Sequence, residues 1–68
     1  MMQEIPKIIK HIKTIGERGA WTIEVNYVQY DGRDPQYDIR RWSPDHASMG
    51  KGITLFEDEF NKMGEIFK

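Results

Sequence analysis

Two stretches of the chain alternate apolar and polar positions with the period of two that is typical of β-strands. Residues 21–30 carry apolar or aromatic side chains at positions 21, 23, 25 and 27, with polar ones between them, which predicts a half-buried strand. Residues 36–42 alternate in the same way and place Arg40 and Arg41 on opposite faces. A third β-type segment spans residues 50–55.

Turn-forming residues separate these segments. Asp31-Gly32 supplies left-handed backbone geometry and Pro35 ends the pairing, which predicts a hairpin between the first two strands. Residues 43–48 are predicted to form a loop. Residues 16–19 are predicted to form a turn, because the glycines at both ends can adopt a positive φ.

The pattern of residues 5–15 is ambiguous. Isoleucine recurs at positions 5, 8, 9, 12 and 15, which is the spacing of an amphipathic helix with Pro6 near its first turn. Isoleucine and threonine favour strands, however, and no strong capping residue precedes the segment. The residues alone leave helix and strand open.

The last twelve residues change to a helical period. The first turn is acidic and Lys68 ends the segment, which suits the helix dipole, and Gly64 marks either a close helix contact or a weak point costing about 1 kcal/mol relative to alanine. A C-terminal amphipathic helix is therefore predicted. Its apolar positions recur at i, i+4, i+7 and i+11, namely Phe56, Phe60, Met63 and Phe67.

Size and composition bound the protein class. Sixty-eight residues form one small domain of marginal stability, which a partner subunit would relieve. Without cysteine, neither disulfides nor a thiolate metal site are available. Ten basic and eleven acidic residues give a net charge of -1, which by itself speaks against a strongly basic nucleic-acid binder. No signal peptide and no apolar run of the ~20 residues that span a membrane is visible, so a soluble, cytoplasmic protein is expected.

Cations and aromatic rings lie close together in residues 36–55. Arg40, Arg41 and Trp42 are adjacent, and Lys51 follows between two glycines. Binding of a single strand without base selectivity needs cations for the phosphates and rings for the bases. The stretch therefore suggests a polyanion that carries bases.

The same residues also have purely structural explanations. A role of Trp42 in the core or in a dimer interface is as compatible with the sequence as nucleic-acid binding is. Arg40 and Arg41 are also compatible with a solvated face or with a salt bridge to Asp38 or Glu24. Residues 50–52 are not a nucleotide-binding loop, because that motif needs an earlier glycine and a Ser or Thr after the lysine. The two glycines indicate either a close approach of the backbone to a phosphate or a plain turn.

Three blocks of the chain resemble the bacterial, YdbC-like branch of the positive cofactor 4 family, whose members resemble the single-strand-binding domain of a eukaryotic transcriptional coactivator. The resemblance extends over residues 5–68. The blocks are Tyr37-Asp38-Ile39-Arg40-Arg41-Trp42-Ser43-Pro44-Asp45-His46, Met49-Gly50-Lys51-Gly52-Ile53-Thr54-Leu55 and Glu57-Asp58-Glu59-Phe60.

This resemblance implies an α+β fold: a curved four-stranded antiparallel sheet followed by one C-terminal helix (β-β-β-β-α), in a homodimer with the helices at the interface. It also implies that residues 5–15 form the first strand. The implied function is largely sequence-independent binding of single-stranded DNA, with RNA as a further candidate, in transcription or DNA maintenance. No cofactor, membrane or small-molecule substrate is implied.

The resemblance also assigns contacts to positions on the strands. Arg40 and Lys51 match basic family positions, Tyr30 matches an aromatic at the end of the second strand, and Trp42 lies in an aromatic-rich stretch. The other predicted nucleic-acid contacts are Lys13, Arg18 and Asn26, and the predicted dimer contacts are Phe60, Met63 and Phe67.

The chain departs from the family at Phe56, where a Ser or Thr usually caps the helix. Losing such a cap costs about 1 kcal/mol. Two compensations are open: Phe56 packs onto Phe60 across the first turn, or the helix begins later with Asp58 as its cap.

Catalysis and metal binding are not predicted. His11, Asp45 and His46 lack the spacing of a metal site, and no serine has a recognisable nucleophile setting. Asp45-His46 is expected to order the loop after Pro44 instead. The rival to nucleic-acid binding is a protein-interaction module that uses a sheet edge or the apolar face of the helix.

Overall fold

A computed structural model of the chain describes residues 4–67. Four strands form one antiparallel, open sheet in the order β1-β2-β3-β4, and one C-terminal helix follows, so the predicted β-β-β-β-α arrangement is confirmed. None of the helices in this part of the chain is long and apolar enough to cross a membrane. The elements are β1 (Lys7–Arg18), β2 (Trp21–Gln29), β3 (Gln36–Trp42), β4 (Met49–Leu55), α1 (Glu57–Met63) and a 3₁₀-helix (Gly64–Phe67).

The pairing of β1 explains why isoleucines in a strand are spaced as in a helix. The pairing of β1 with β2 is interrupted three times, between Ile8 and Lys10, His11 and Lys13, and Thr14 and Gly16. Each interruption leaves one extra residue on β1, and that residue is an isoleucine each time. A β-bulge every third residue thus produces a three-residue repeat, so the strand prediction is confirmed and the helical spacing has another cause.

The turn after β1 is shorter than predicted. Residues 16–18 pair with Ile23, Thr22 and Trp21, so they belong to the strand, and the prediction of a turn from residue 16 was wrong. The turn consists of Gly19 and Ala20, with Gly19 at φ 62°. The predicted hairpin between β2 and β3 is confirmed, with Gly32 at φ 75°.

The two faces of the sheet differ in what covers them. On one face, α1 packs against β3 by stacking the Phe60 ring on Tyr37 at a centroid distance of 4.1 Å and an interplanar angle of 4°. On the other face, Glu24, Asn26 and Asp38 are buried although no helix of residues 4–67 lies over them. Bulges bend strands and increase their twist. Because its polar side chains bury one another, we infer that the sheet curves towards this second face, and we call it the concave face.

The helix begins at Glu57 with Phe56 as its N-cap, so the alternative of a later start at Asp58 was wrong. The Phe56 amide N–H donates to the Glu59 carboxylate at 2.8 Å, and the Phe60 N–H donates to the Phe56 carbonyl at 2.9 Å. Glu59 therefore makes its half of a capping box, because its side chain accepts the hydrogen bond from the backbone N–H of the N-cap residue. The other half, which a Ser or Thr side chain would make, is missing at Phe56. The α-helix ends before Gly64, where the tighter 3₁₀ turn takes over.

Gly52 lets β4 approach β3 closely. Residues 50–52 lie within β4, so the alternative of a plain turn was wrong. Gly52 is the register partner of Arg40, and a Cβ added at Gly52 would overlap the Arg40 Cβ and the Ile39 carbonyl and would lie 2.8 Å from the Arg40 Cα. Any side chain at position 52 would therefore push the two strands apart.

Substitution of two glycines should have opposite effects on stability. We expect Gly52→Ala to lower the free energy of unfolding by about 3 kcal/mol, because the new methyl meets backbone that cannot move away easily. Gly64→Ala should raise it by about 0.5–1 kcal/mol, because Gly64 has right-handed helical angles and open space around it. Urea denaturation measures both; equal stability of the two variants would contradict the close approach at Gly52.

Candidate nucleic-acid interface

Arg40 and Asp38 form a buried ion pair on the concave face. Arg40 Nε donates to Asp38 Oδ1 at 2.7 Å, and an Arg40 terminal nitrogen donates to Oδ2 at 2.8 Å. The Thr54 hydroxyl donates to the same carboxylate at 3.0 Å. The hydrogen bonds to Asp38 outweigh burial and raise the pKa of Arg40. The guanidinium charge is thus neutralised within the sheet, as the salt-bridge alternative predicted.

Glu24 is the centre of a second polar cluster on this face. Its carboxylate accepts hydrogen bonds from the Thr22 hydroxyl at 2.6 Å, from His46 Nε2 at 2.9 Å and from the Asn26 amide at 3.1 Å. Burial raises the pKa of Glu24, but the hydrogen bonds from Thr22 and Asn26 and the proximity of His46 together bring this pKa below its ordinary value. His11 completes the cluster, with Nδ1 2.6 Å from the Asn26 Oδ1 atom.

The loop between β3 and β4 covers Trp42. The His46 ring stacks on the Trp42 indole at a centroid distance of 5.2 Å, and only 1% of Trp42 is exposed. His46 has φ 57°, an uncommon left-handed conformation for a residue with a side chain. The Trp42 indole N–H has no hydrogen-bond partner within residues 4–67. Trp42 is therefore a core side chain of the described chain, which is one of the two structural alternatives.

Asp45 orders this loop, as expected from the sequence. Its carboxylate accepts hydrogen bonds from the Ala47 amide at 3.0 Å and from the Ser43 hydroxyl at 2.8 Å, and these bonds lower the pKa of Asp45. The Ser43 amide also donates to the Ser48 carbonyl at 3.0 Å. The loop therefore holds His46 over Trp42 as a compact unit.

The predicted contact residues do not form one exposed group. The structure brings three of them together on the concave face, but there they are buried and bonded or packed inside the protein; they are Asn26, Arg40 and Trp42. Tyr30 is half-buried just beyond β2. The exposed ones are Lys13, Arg18 and Lys51.

Those exposed cations belong to other parts of the sheet. Lys13 and Arg18 are register partners of Val25 and Trp21, which places them on the face that α1 covers in part. Lys51 lies at a bulge of β4. Of the predicted dimer contacts, Phe60 packs on Tyr37, Met63 is half-buried and Phe67 is 80% exposed.

The carboxylates and histidines that organise the concave face were not predicted from the sequence as functional residues. Glu24 and Asp38 were considered only as salt-bridge partners, and His46 only as part of a loop or, with His11, as a metal site that the spacing did not support. The register of the hairpin would have predicted this cluster, because it pairs Glu24 with Arg40 and Asn26 with Asp38 on one face of the sheet. Within residues 4–67, no group of three metal-ligating side chains is arranged to hold a metal ion.

An open groove lies on the other face, between β1 and α1. Its volume is about 390 Å3, and the Tyr27 and Tyr37 rings at its base lie 4.9 Å apart at an angle of 52°. A larger depression of about 800 Å3 lies beside Tyr30 and Lys7. Both are open to solvent and carry a lysine beside an aromatic ring.

The lowered pKa of Glu24 makes stability depend on pH. A carboxylate whose pKa is lower in the folded than in the unfolded state stabilises the fold fully above the unfolded value of 4.5, and this contribution is lost as the pH falls through the folded value. Between about pH 6 and pH 3, we therefore expect Glu24→Gln to lose less unfolding free energy than the parent chain. Urea titrations at several pH values measure this difference.

Asp34→Asn serves as the control for that experiment, because it changes an exposed carboxylate in the turn between β2 and β3. It should keep the pH dependence of the parent chain. A Glu24→Gln variant with the same pH dependence as the parent would show that the network around Glu24 does not favour the ionised carboxylate.

Comparison with known proteins identifies the family. The sequence model of the family described as Transcriptional Coactivator p15 (PC4) matches residues 18–66, which run from the end of β1 through the 3₁₀-helix. A curated protein of Treponema pallidum (strain Nichols), named "Uncharacterized protein", is 49% identical over 47 residues, which are 69% of this chain. These residues are 55% of that protein, so the chain spans about half the length of this relative. The chain belongs to the Transcriptional Coactivator p15 (PC4) family.

Proposed function

We propose that the protein binds single-stranded nucleic acid, with DNA preferred over RNA, largely independently of base sequence and as a homodimer. Membership of the Transcriptional Coactivator p15 (PC4) family carries this proposal. The strand so bound would serve transcription or DNA maintenance without a chemical reaction.

The exposed cations and rings of the chain support the proposal. Phosphates need solvent-accessible positive charges, and Lys13, Arg18 and Lys51 are exposed. Tyr30 beside the larger depression is a ring on which a base can stack. These four residues are the proposed direct contacts.

Arg40, Asn26 and Trp42 stay predicted contacts that binding experiments have to test. Contact with Trp42 requires His46 to leave the indole, and contact with Arg40 competes with Asp38. Opening the loop would also give the unpaired indole N–H access to water or to a base.

A group of exposed apolar side chains supports the proposed homodimer. They lie on β4 and on the segments that follow it, and a chain of this size buries too little apolar surface to leave such side chains in water at no cost. The group consists of Ile53, Phe56, Ile66 and Phe67, exposed by 55%, 62%, 72% and 80%.

The same group favours one alternative function. A different protein could cover Ile53, Phe56, Ile66 and Phe67, in which case the chain is a protein-interaction module. Salt-dependent binding of oligo-dT by the parent chain would favour the first function, because the apolar group carries no charge for phosphates, whereas no affinity for oligo-dT at low salt would favour the second.

Titration with fluorescently labelled oligo-dT tests the binding function. We expect affinity to fall linearly with the logarithm of salt concentration, with a slope near -0.7 per phosphate neutralised. Lys51→Gln should make the slope less negative by about 0.7, whereas Lys62→Gln on α1 should leave it unchanged. Competition with oligo-U and with duplex DNA measures the preference; no binding at low salt, or equal affinity for duplex, would overturn the proposal.

Sedimentation equilibrium tests the homodimer. The parent chain should sediment as a dimer, and Phe67→Asp should shift it towards the monomer because it places a charge in the apolar group. Ile15→Asp is the matched control, since Ile15 on β1 is 57% exposed and outside that group. A parent chain that is monomeric at every concentration, or two variants that dissociate alike, would contradict the proposed interface.

A further inference from the structure

Three lysines on β1 form a straight row although they are three residues apart in sequence. Each bulge absorbs one residue, so Lys7, Lys10 and Lys13 pair with Gln29, Tyr27 and Val25, which are alternate residues of β2. Alternate residues of a strand share one face and lie about 6.8 Å apart. The lysines therefore follow one another along one face at about that spacing, which is comparable to the separation of neighbouring phosphates in an extended single strand.

The charges of this row are free. All three lysines are exposed, and none of them forms an ion pair with another side chain of residues 4–67. Arg18 and Arg41 pair with Trp21 and Ile23, which places two more cations on the same face. The concave face differs, because Asp38 neutralises Arg40 there and Glu24 is buried nearby.

At Lys10, the row reaches the groove that contains the aromatic rings. Lys10 lines this groove with three aromatic rings: Tyr37 is stacked on Phe60 at a centroid distance of 4.1 Å, and Tyr27 lies 4.9 Å from Tyr37 at an angle of 52°. Aromatic faces accept bases of any identity, at about 1–3 kcal/mol per stacked base. A line of cations beside a line of rings has the chemistry of a binding site for a single strand.

We propose that Lys7, Lys10 and Lys13 bind successive phosphates of one single strand of nucleic acid, which lies along β1 with its bases towards the groove of Tyr27 and Tyr37. This inference rests on the proposed function and adds a site on the face opposite to Arg40 and Trp42. Residues 7–13 precede the segment that the family model matches, which is residues 18–66.

The row has one other explanation, which is protection of a sheet edge. β1 is an outer strand, and lysines and bulges on outer strands prevent pairing with other chains. In that case removal of the lysines would cause self-association and leave nucleic-acid affinity unchanged. The two explanations therefore predict different measurements.

The test compares two double variants with the same change in net charge. Lys10→Gln with Lys13→Gln removes two charges from the row, and Arg33→Gln with Lys62→Gln removes two charges elsewhere. Binding of labelled oligo-dT is titrated over a range of salt concentrations, and circular dichroism and sedimentation report fold and assembly. The first variant should bind about 25-fold more weakly at 0.1 M salt, with a slope less negative by about 1.4, because each neutralised phosphate contributes about 0.7.

Each outcome decides one claim. Weaker binding by the Lys10/Lys13 variant together with a control variant that matches the parent chain supports the row, whereas equal losses in both double variants would reduce the effect to net charge and overturn it. A parent chain that binds and a Lys10/Lys13 variant that binds equally well would also overturn the row and the contact proposed for Lys13, while leaving the proposed binding of single strands intact. A parent chain without affinity at low salt would instead overturn the proposed function.

Discussion

Two buried carboxylates, Asp38 and Glu24, impose the constraint on which the concave face depends. Neither can stay ionised inside the sheet without donors, and removing one partner of a buried ion pair costs about 3–5 kcal/mol. Arg40 supplies the donors for Asp38, and Gly52 leaves the room that β4 needs beside Arg40. His46 supplies a donor for Glu24, and this contact fixes the loop over Trp42. Unfolding alone would therefore explain a loss of binding in an Arg40 variant.

The arrangement of charge follows from this constraint. On the concave face, Arg40 neutralises Asp38 and His46 donates a hydrogen bond to Glu24, while the register places Lys7, Lys10, Lys13 and Arg18 of β1 on the face that α1 covers in part. The net charge of -1 hides this division, because it sums both faces. Side-chain direction, set by register and bulges, decides which charges a polyanion can reach.

Most of the fold could be predicted, because alternation and turn chemistry are local. The hairpin needed only Asp31-Gly32 and Pro35, and the helix needed only the repeat of its phenylalanines and Met63. The bulges of β1 could not be predicted from period alone, because a three-residue repeat in a strand resembles the spacing of a helix. Resemblance to a family decided that segment correctly.

The candidate site was harder to predict than the fold. Parity placed Arg40 and Trp42 on one face correctly, but it could not show that this face closes on itself. Burial there depends on curvature and on the loop that carries His46, which are tertiary features. Lys51 was expected beside them, yet it is exposed at the bulge of β4, whereas Arg40 and Trp42 are buried.

The repeated bulges also change what the loss of a residue would do to β1. In a regular strand, deleting one residue turns every side chain on one side of the deletion to the opposite face. Ile9, Ile12 and Ile15 are surplus to the pairing with β2, so losing any one of them would restore regular pairing and leave each lysine facing as before. Strand β1 can thus lose one of these residues at a time and become straighter, while its other side chains keep the faces that they have now.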